Sequence, residues 1–323
     1  MKRTFLRKTL LSDRHLLITK EAHAALMLDV FPLLHSDAVP SSFYYEQDPP
    51  TYKEEVAKAL AILKKEMATS SELQGVSITD SYSDDTLPES SIAYHRIFGF
   101  ITANSCWFFS SKQFETDLLQ AEMNPAIGCH FLHVCSPGGQ AWYMDRLSET
   151  MRSLSKPVIV LIEMYAASAA YYIACHGNAI FALTNNDIIG SIGTMISTLD
   201  FTGYYEKLGI KEVEEYSNLS SLKNKKERDL LAGHPEQYKE EVLDPLSRQF
   251  IDEVRAGRPS LKDTPDDTPV FQGESFDTIH ALENGLIDGK LTFNGAILYA
   301  ADAARRFTAD KELRKRAINY INN

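Results

Sequence analysis

The amino-acid sequence predicts an α/β fold in which helices cover a mostly parallel sheet. Between residues 91 and 183, short apolar runs with the length of buried strands alternate with stretches whose apolar residues recur at helical spacing. Strands that are joined through helices run parallel, and the helices cover the resulting sheet. The chain has 323 residues, of which 44% are hydrophobic and 24% charged, a composition typical of globular proteins.

The expected elements show no internal repeat. In chain order they are a helix over 54–67, a strand over 91–101, a helix over 111–122, a strand over 128–135, a helix after Pro137, a strand over 157–164, a helix over 166–175 and a strand over 179–183. Apolar residues every fourth position from Tyr238 to Val254 predict a long helix, which Pro245 should kink or divide. We expect an N-terminal extension of unknown role (1–90), a main domain (91–295) and a C-terminal helix (296–323).

Charge, cysteine content and hydropathy exclude several classes of protein. The net charge of −11 argues against binding to nucleic acid or to anionic lipid. The cysteines form no CxxC pair and are expected to be reduced, without a zinc site; they are Cys106, Cys129, Cys135 and Cys175. No window of 18 uncharged apolar residues exists, so we expect a cytoplasmic protein without a membrane partner.

A Gly-Gly turn follows the strand predicted over 128–135. Its sequence is Ser136-Pro137-Gly138-Gly139. Glycine permits backbone conformations closed to other residues, and such a turn can direct bare N–H groups into a cleft, where they stabilise an oxyanion. Alternatively, the turn only joins a strand to a helix.

Ser168 lies where a buried strand is expected to turn into a helix, between alanines that leave room for a substrate. The N–H of Ala169 would be free at the helix N-terminus, which favours developing negative charge. This arrangement has the mechanics of a nucleophile elbow, although the glycines of that motif are missing. A serine that merely begins a helix is the alternative.

A nucleophilic serine needs a base, and histidine does not supply one here. His176 lies eight residues along the same helix, about 12 Å away at 1.5 Å per residue, while His130 and His133 are expected within a strand. Lysine can act as a base when burial lowers its pKa from about 10.4 towards neutrality. The segment after residue 217 offers Lys223, Lys225 and Lys226, and composition does not choose among them.

Together these segments resemble the peptidase family of signal peptide peptidase A and the phage capsid-assembly (head maturation) proteases. The resemblance spans residues 92–288. The matching motifs are, in chain order, Ser136-Pro137-Gly138-Gly139, Tyr165-Ala166-Ala167-Ser168-Ala169-Ala170-Tyr171-Tyr172, Ile189-Gly190-Ser191-Ile192-Gly193-Thr194, Val270-Phe271-Gln272-Gly273 and Ala281-Leu282-Glu283-Asn284-Gly285-Leu286-Ile287-Asp288. Ala170 departs from the glycine that the family often has there.

The resemblance implies a serine endopeptidase with a ClpP/crotonase-like fold and a Ser-Lys dyad. Ser168 matches the nucleophile, and Lys223 matches the base, which in the family lies some fifty residues downstream in a Ser-x-x-Lys-like stretch. Gly139 or Gly138, with Ala169, would form the oxyanion hole. The family also implies a homo-oligomer, a protein or peptide substrate and no cofactor or metal.

The resemblance further implies a place for the activity. The absence of a predicted membrane span favours the phage or prophage branch, whose members process capsid and scaffold proteins within the assembling prohead. Three alternatives remain open: degradation of signal-peptide remnants, a catalytically idle assembly protein with the same fold, and a crotonase-type acyl-CoA enzyme. The last of these lacks an evident acidic catalytic residue beside Ser168.

Overall fold

The computed structural model describes residues 15–18, 51–105, 107–198, 200, 202–211 and 213–321. The strands are β1 (His15–Ile18), β2 (Ile78–Thr79), β3 (Ser91–Phe98), β4 (Ile101–Thr102), β5 (Phe109–Ser110), β6 (Ile127–Ser136), β7 (Gly138–Gln140), β8 (Val158–Ala167), β9 (Ala179–Ala182), β10 (Ile188–Gly190), β11 (Met195–Ile196), β12 (Ser275–Phe276) and β13 (Gly289–Lys290). The helices are α1 (Tyr52–Thr69), α2 (Ser111–Met123), α3 (Met144–Ser153), α4 (Ala169–Ala174), α5 (Thr202–Lys207), α6 (Lys225–Leu231), α7 (Glu236–Tyr238), α8 (Asp244–Gly257), α9 (Thr278–Glu283) and α10 (Phe293–Ile321).

The main sheet has the strand order β12-β10-β8-β6-β3-β2. Its ladders from β2 to β10 are parallel, and among its described strands only the edge strand β12 is antiparallel. Strands β9 and β13 continue the parallel pairing beside β8. The predicted α/β class, a mostly parallel sheet with flanking helices, is therefore confirmed.

Each face of this sheet carries its own hydrophobic cluster, since side chains alternate between faces along a strand. On β6, Leu132 packs with α2, α3, α4 and α8, whereas Phe131 packs with α1 and α10. The second cluster includes Leu60 of α1 and Ala300 of α10. The domain boundaries at 90 and 295 stay predictions, but segments on both sides of them share this core.

A second, smaller sheet lies at the carboxyl end of β6. Its strand order is β11-β1-β7-β4-β5, and β1 is antiparallel to both of its neighbours. Gly139 of β7 is opposite Ile101 of β4, and a Cβ at this glycine would lie 2.0 Å from the Ile101 oxygen. Only glycine therefore permits the two strands to approach this closely.

Most predicted elements are confirmed to within a few residues, and two differ for identifiable reasons. The helix predicted over 166–175 begins only at Ala169, because Ala166 and Ala167 pair with β10 and so extend β8. The helix predicted around 238–254 exists, but Pro245 does not break it. A π-helical segment, Lys239–Leu243, precedes Pro245, which lies in the first turn of α8, where its missing N–H costs little.

Candidate active site

Ser168 forms a sharp turn between β8 and α4. Its φ of 56° and ψ of −122° lie outside the regions that non-glycine residues ordinarily adopt. The Ser168 N–H donates to the Gly190 carbonyl at 2.8 Å, and the Ser168 carbonyl accepts the Tyr172 N–H at 2.9 Å, which begins α4. Backbone strain of this kind costs about 1–3 kcal/mol and occurs at nucleophile elbows.

The elbow hydroxyl is enclosed by small, buried residues. Ser168 is 1% exposed, and its neighbours Ala167, Ala169 and Ala170 are fully buried. Within the described part of the chain, no hydrogen bond is found for the Ser168 hydroxyl. The Ala169 N–H lies in the first turn of α4, where backbone N–H groups have no partner within the helix.

A bulge in β8 directs the chain into the elbow. Val134 of β6 pairs with Ile162, whereas Ser136 pairs with Ala166, so three residues of β8 oppose one of β6. At the centre of this bulge, Met164 has a φ of 69°, and its N–H donates to Asp187 at 3.0 Å. The bulge therefore re-aims β8 two residues before the strand ends.

Asp187 holds this bulge in place from the loop between β9 and β10. It is 1% exposed, and its carboxylate accepts the N–H groups of Leu183 and Thr184 at 2.8 Å, in addition to that of Met164. The Thr184 hydroxyl donates to it as well, at 2.7 Å. Asp187 is thus a positioning residue for the elbow, and nothing in the sequence around it signals this role.

Replacement of Asp187 by asparagine should destabilise the protein by about 3 kcal/mol, because the new NH₂ group would face backbone donors that are buried. Urea denaturation would measure the change in the free energy of unfolding. Asp252→Asn, on the exposed face of α8, is the matched control and should change it by less than about 0.5 kcal/mol. Equal effects of the two substitutions would contradict the positioning role.

Glu163, at the start of the bulge, is tied to neighbouring strands. A hydrogen bond from His133 and the charge of Arg96 lower the pKa of Glu163 to about 2. Burial lowers the pKa of His133 itself, so at pH 7 this ring is neutral and Arg96 supplies the positive charge. His130 and His133 lie on β6, as the sequence predicts.

The Gly-Gly turn lies beside the elbow, since Ser136 at the end of β6 pairs with Ala166. Gly138 has a φ of 103°, which favours glycine, and its N–H donates to the Ser136 hydroxyl at 3.2 Å. That hydroxyl in turn donates to the Gly99 carbonyl at 2.7 Å. The turn is therefore fixed by its own hydrogen bonds, with β7 extending from it.

The structure does not bring any of the three lysines to Ser168: no described contact joins their amines to its hydroxyl. Lys223 is exposed in the turn before α6, and its carbonyl accepts a hydrogen bond from Arg228. Lys225 pairs with Asp229, and Lys226 pairs with Glu241. A carboxylate thus holds each of these two amines, whereas no ion pair is found for the Lys223 amine among the described residues.

A cavity of about 610 Å³ adjoins the elbow. Ser191 and Met195 of β11 both line it. Ser191 directly follows Gly190, whose carbonyl accepts the Ser168 N–H. Ser168 itself does not line the cavity.

The described residues can be compared with the expectations about cysteines, metal sites and membrane spans. There, Cys129, Cys135 and Cys175 are free thiols, and no group of His, Cys, Asp and Glu side chains is arranged to hold a metal ion. Cys106 lies outside the described residues. None of the helices in the described ranges combines the length and apolar character needed to cross a bilayer.

Comparison with known proteins relates this site to a peptidase family. Residues 150–306 match Peptidase family S49, a range that includes Ser168 and Lys223 but not the Gly-Gly turn. A putative signal peptide peptidase SppA of Enterococcus faecium is 28% identical over 215 residues, covering 64% of this chain and 57% of the relative. The head-tail preconnector protein GP5 of Enterobacteria phage P21 is 28% identical over 192 residues, covering 58% of this chain and 36% of the relative.

Among solved structures, a ClpP1 variant from Listeria monocytogenes aligns with a TM-score of 0.40 and 13% identity, covering 63% of this chain and 94% of that one. The chain spans little more than half the length of the SppA relative and about a third of the phage protein. The family match covers the strand, elbow and helix that present Ser168 and continues into α10. Residues 150–306, just under half of the chain, are thus similar to Peptidase family S49.

Proposed function

We propose that this protein is a serine endopeptidase, a hydrolase in which Ser168 is the nucleophile and Lys223 the general base. The strained elbow at Ser168 is the observation that carries the proposal. A fold retains such a conformation where the position of one side chain matters more than the cost of the strain. The match of residues 150–306 to Peptidase family S49 supports the same activity.

In the proposed reaction, the uncharged amine of Lys223 accepts the proton of the Ser168 hydroxyl while the oxygen attacks the peptide carbonyl carbon. The N–H groups of Gly139 and Ala169 hold the resulting oxyanion, and Gly138 shapes the turn. The C–N bond then breaks, and the leaving amine takes the proton from the Lys223 ammonium. Water attacks the acyl-enzyme ester with Lys223 again as base, which frees the acid and restores Ser168.

The proposal requires that Lys223 be covered, because a solvated lysine is charged at pH 7. Lys223 lies in a segment that exposes large apolar side chains: Val213 is 74% exposed, Leu219 97% and Leu222 75%. Exposed apolar groups of this kind mark interaction surfaces. We therefore propose a homo-oligomer in which a neighbouring subunit covers this segment and the Lys223 amine completes the site of an adjoining subunit.

For the substrate, we propose a capsid or scaffold protein of a phage or prophage, cut during prohead assembly. The likeness to a phage head-tail preconnector protein supports this choice, whereas the likeness to a signal peptide peptidase favours remnants of signal peptides. The cavity beside Ser191 would take a side chain of the peptide.

Incubation with capsid and scaffold proteins, and separately with apolar signal-peptide sequences, would test the proposal. Wild-type protein should generate discrete fragments that Ser168→Ala does not generate, and mass spectrometry would identify the cut bonds. The exposure of Lys223 favours a second candidate, an idle assembly protein with the same fold. That candidate predicts no cleavage of either class by the oligomeric protein, and such a result would overturn the peptidase.

A further inference from the structure

The N-terminal strand β1 fills a slot between two strands that lie on either side of the elbow. Its residues pair antiparallel with β7 on one side, where Leu17 is opposite Gly139, and with β11 on the other, where Leu16 is opposite Met195. Neighbouring strands lie about 4.8 Å apart, so β7 and β11 are separated by about twice that distance, which leaves room for one strand. Without β1, both facing edges would lack a partner.

This slot crosses the position of Ser168. The chain enters β7 from Ser136, the last residue of β6, and approaches β11 from Gly190, the last residue of β10. In the main sheet, Ser136 pairs with Ala166 and Gly190 pairs with Ala167, so the two residues lie on opposite sides of the end of β8. Ser168 directly follows that end. A strand that bridges β7 and β11 therefore passes over the elbow, in agreement with the 1% exposure of Ser168.

We propose that residues 15–18 act as an internal occupant of the peptide-binding slot and inhibit the binding of an extended peptide in trans. A peptide that adds a strand to two open edges obtains its affinity from main-chain hydrogen bonds, which β1 already makes. Because β1 is part of the same chain, its effective concentration at the slot exceeds that of a dilute substrate. The inference rests on the proposed function only in taking the slot as the substrate site.

A binding experiment on an inactive background tests this occupancy without any cleavage. The probe is a fluorescein-labelled synthetic peptide with the sequence of residues 13–20, measured by fluorescence anisotropy against full-length Ser168→Ala. Leu16→Pro and Leu17→Pro are introduced together into Ser168→Ala and remove two adjacent N–H groups of β1. Because adjacent N–H groups point to opposite sides of a strand, one of the two faces β7 and the other faces β11. Ala24→Pro with Ala25→Pro, outside β1, is the matched control.

The peptide should bind the protein with Leu16→Pro and Leu17→Pro about tenfold or more tightly than it binds Ser168→Ala alone or the Ala24→Pro/Ala25→Pro control. A factor of this size is expected if β1 leaves the slot open in about one molecule in ten. A peptide with proline at both leucine positions should lose this binding. Hydrogen exchange at the N–H groups of β7 and β11 that face β1 should become faster in the same variant.

Equal affinity of the peptide for all three proteins, or unchanged hydrogen exchange, would overturn the occupancy whether or not the wild type cleaves peptides. Tighter binding together with an absence of cleavage by any protein with an intact Ser168 would instead sustain the occupancy and contradict the proposed function.

Discussion

Substitution of Ser168 by alanine is expected to abolish peptide hydrolysis while leaving the fold intact. The hydroxyl makes no hydrogen bond among the described residues, so its loss removes no stabilising contact, whereas the reaction loses its nucleophile. Loss of a nucleophile of this kind lowers kcat by about 10⁴-fold or more. The measurement is kcat/KM on a peptide substrate, with circular dichroism and the denaturation midpoint as checks on the fold.

Two further variants make this prediction specific to the elbow. Ser153→Ala removes a serine hydroxyl on the exposed end of α3 and should retain full activity. Ser168→Gly should be as inactive as Ser168→Ala but more stable by about 1 kcal/mol, because glycine adopts a φ of 56° with little strain. Residual activity of Ser168→Ala above a tenth of wild type would remove Ser168 as the nucleophile.

Among the lysines, Lys223→Ala is expected to cause a loss of kcat that approaches that of Ser168→Ala. Lys225→Ala and Lys226→Ala should retain most of the activity, because these amines are held by Asp229 and Glu241. If Lys225→Ala or Lys226→Ala were the inactive variant while Lys223→Ala remained active, the proposed base would be wrong, although the elbow would keep its role.

A mixture of two inactive variants separates a base within the chain from one supplied by a neighbouring subunit. Ser168→Ala and Lys223→Ala are unfolded together, refolded together and assayed. If Lys223 serves an adjoining subunit, about a quarter of the sites in a random 1:1 oligomer regain both groups. If Lys223 serves its own Ser168, the mixture stays inactive, and the exposure of the apolar segment around Leu219 needs another explanation.

The sequence predicts the parts of the fold that depend on local pattern. The apolar runs of β6 and β8 are strands because both of their faces are buried, and the alanine-flanked Ser168 lies at a strand-to-helix turn. Gly138 and Gly139 are also placed correctly at the end of β6. Their conformational reasons, a φ of 103° and a close approach to Ile101, become evident only in three dimensions.

The features that sequence reasoning misses are the non-local ones. Asp187 reaches the bulge at Met164 across 23 residues, and β1 pairs with a strand more than 120 residues away. Neither pairing leaves a periodic signal in one sequence. The choice among Lys223, Lys225 and Lys226 depends on which amines have carboxylate partners and which surface another subunit covers, and composition contains neither piece of information.

Covalent labelling of the full-length protein with a fluorophosphonate, followed by digestion and mass spectrometry, tests the central claim most directly. The reagent reacts with an activated serine hydroxyl and spares ordinary ones. The account predicts one adduct, on Ser168, that is absent from Ser168→Ala and strongly reduced in Lys223→Ala. A protein that cleaves peptides but carries the adduct on another residue, or carries none, would contradict it.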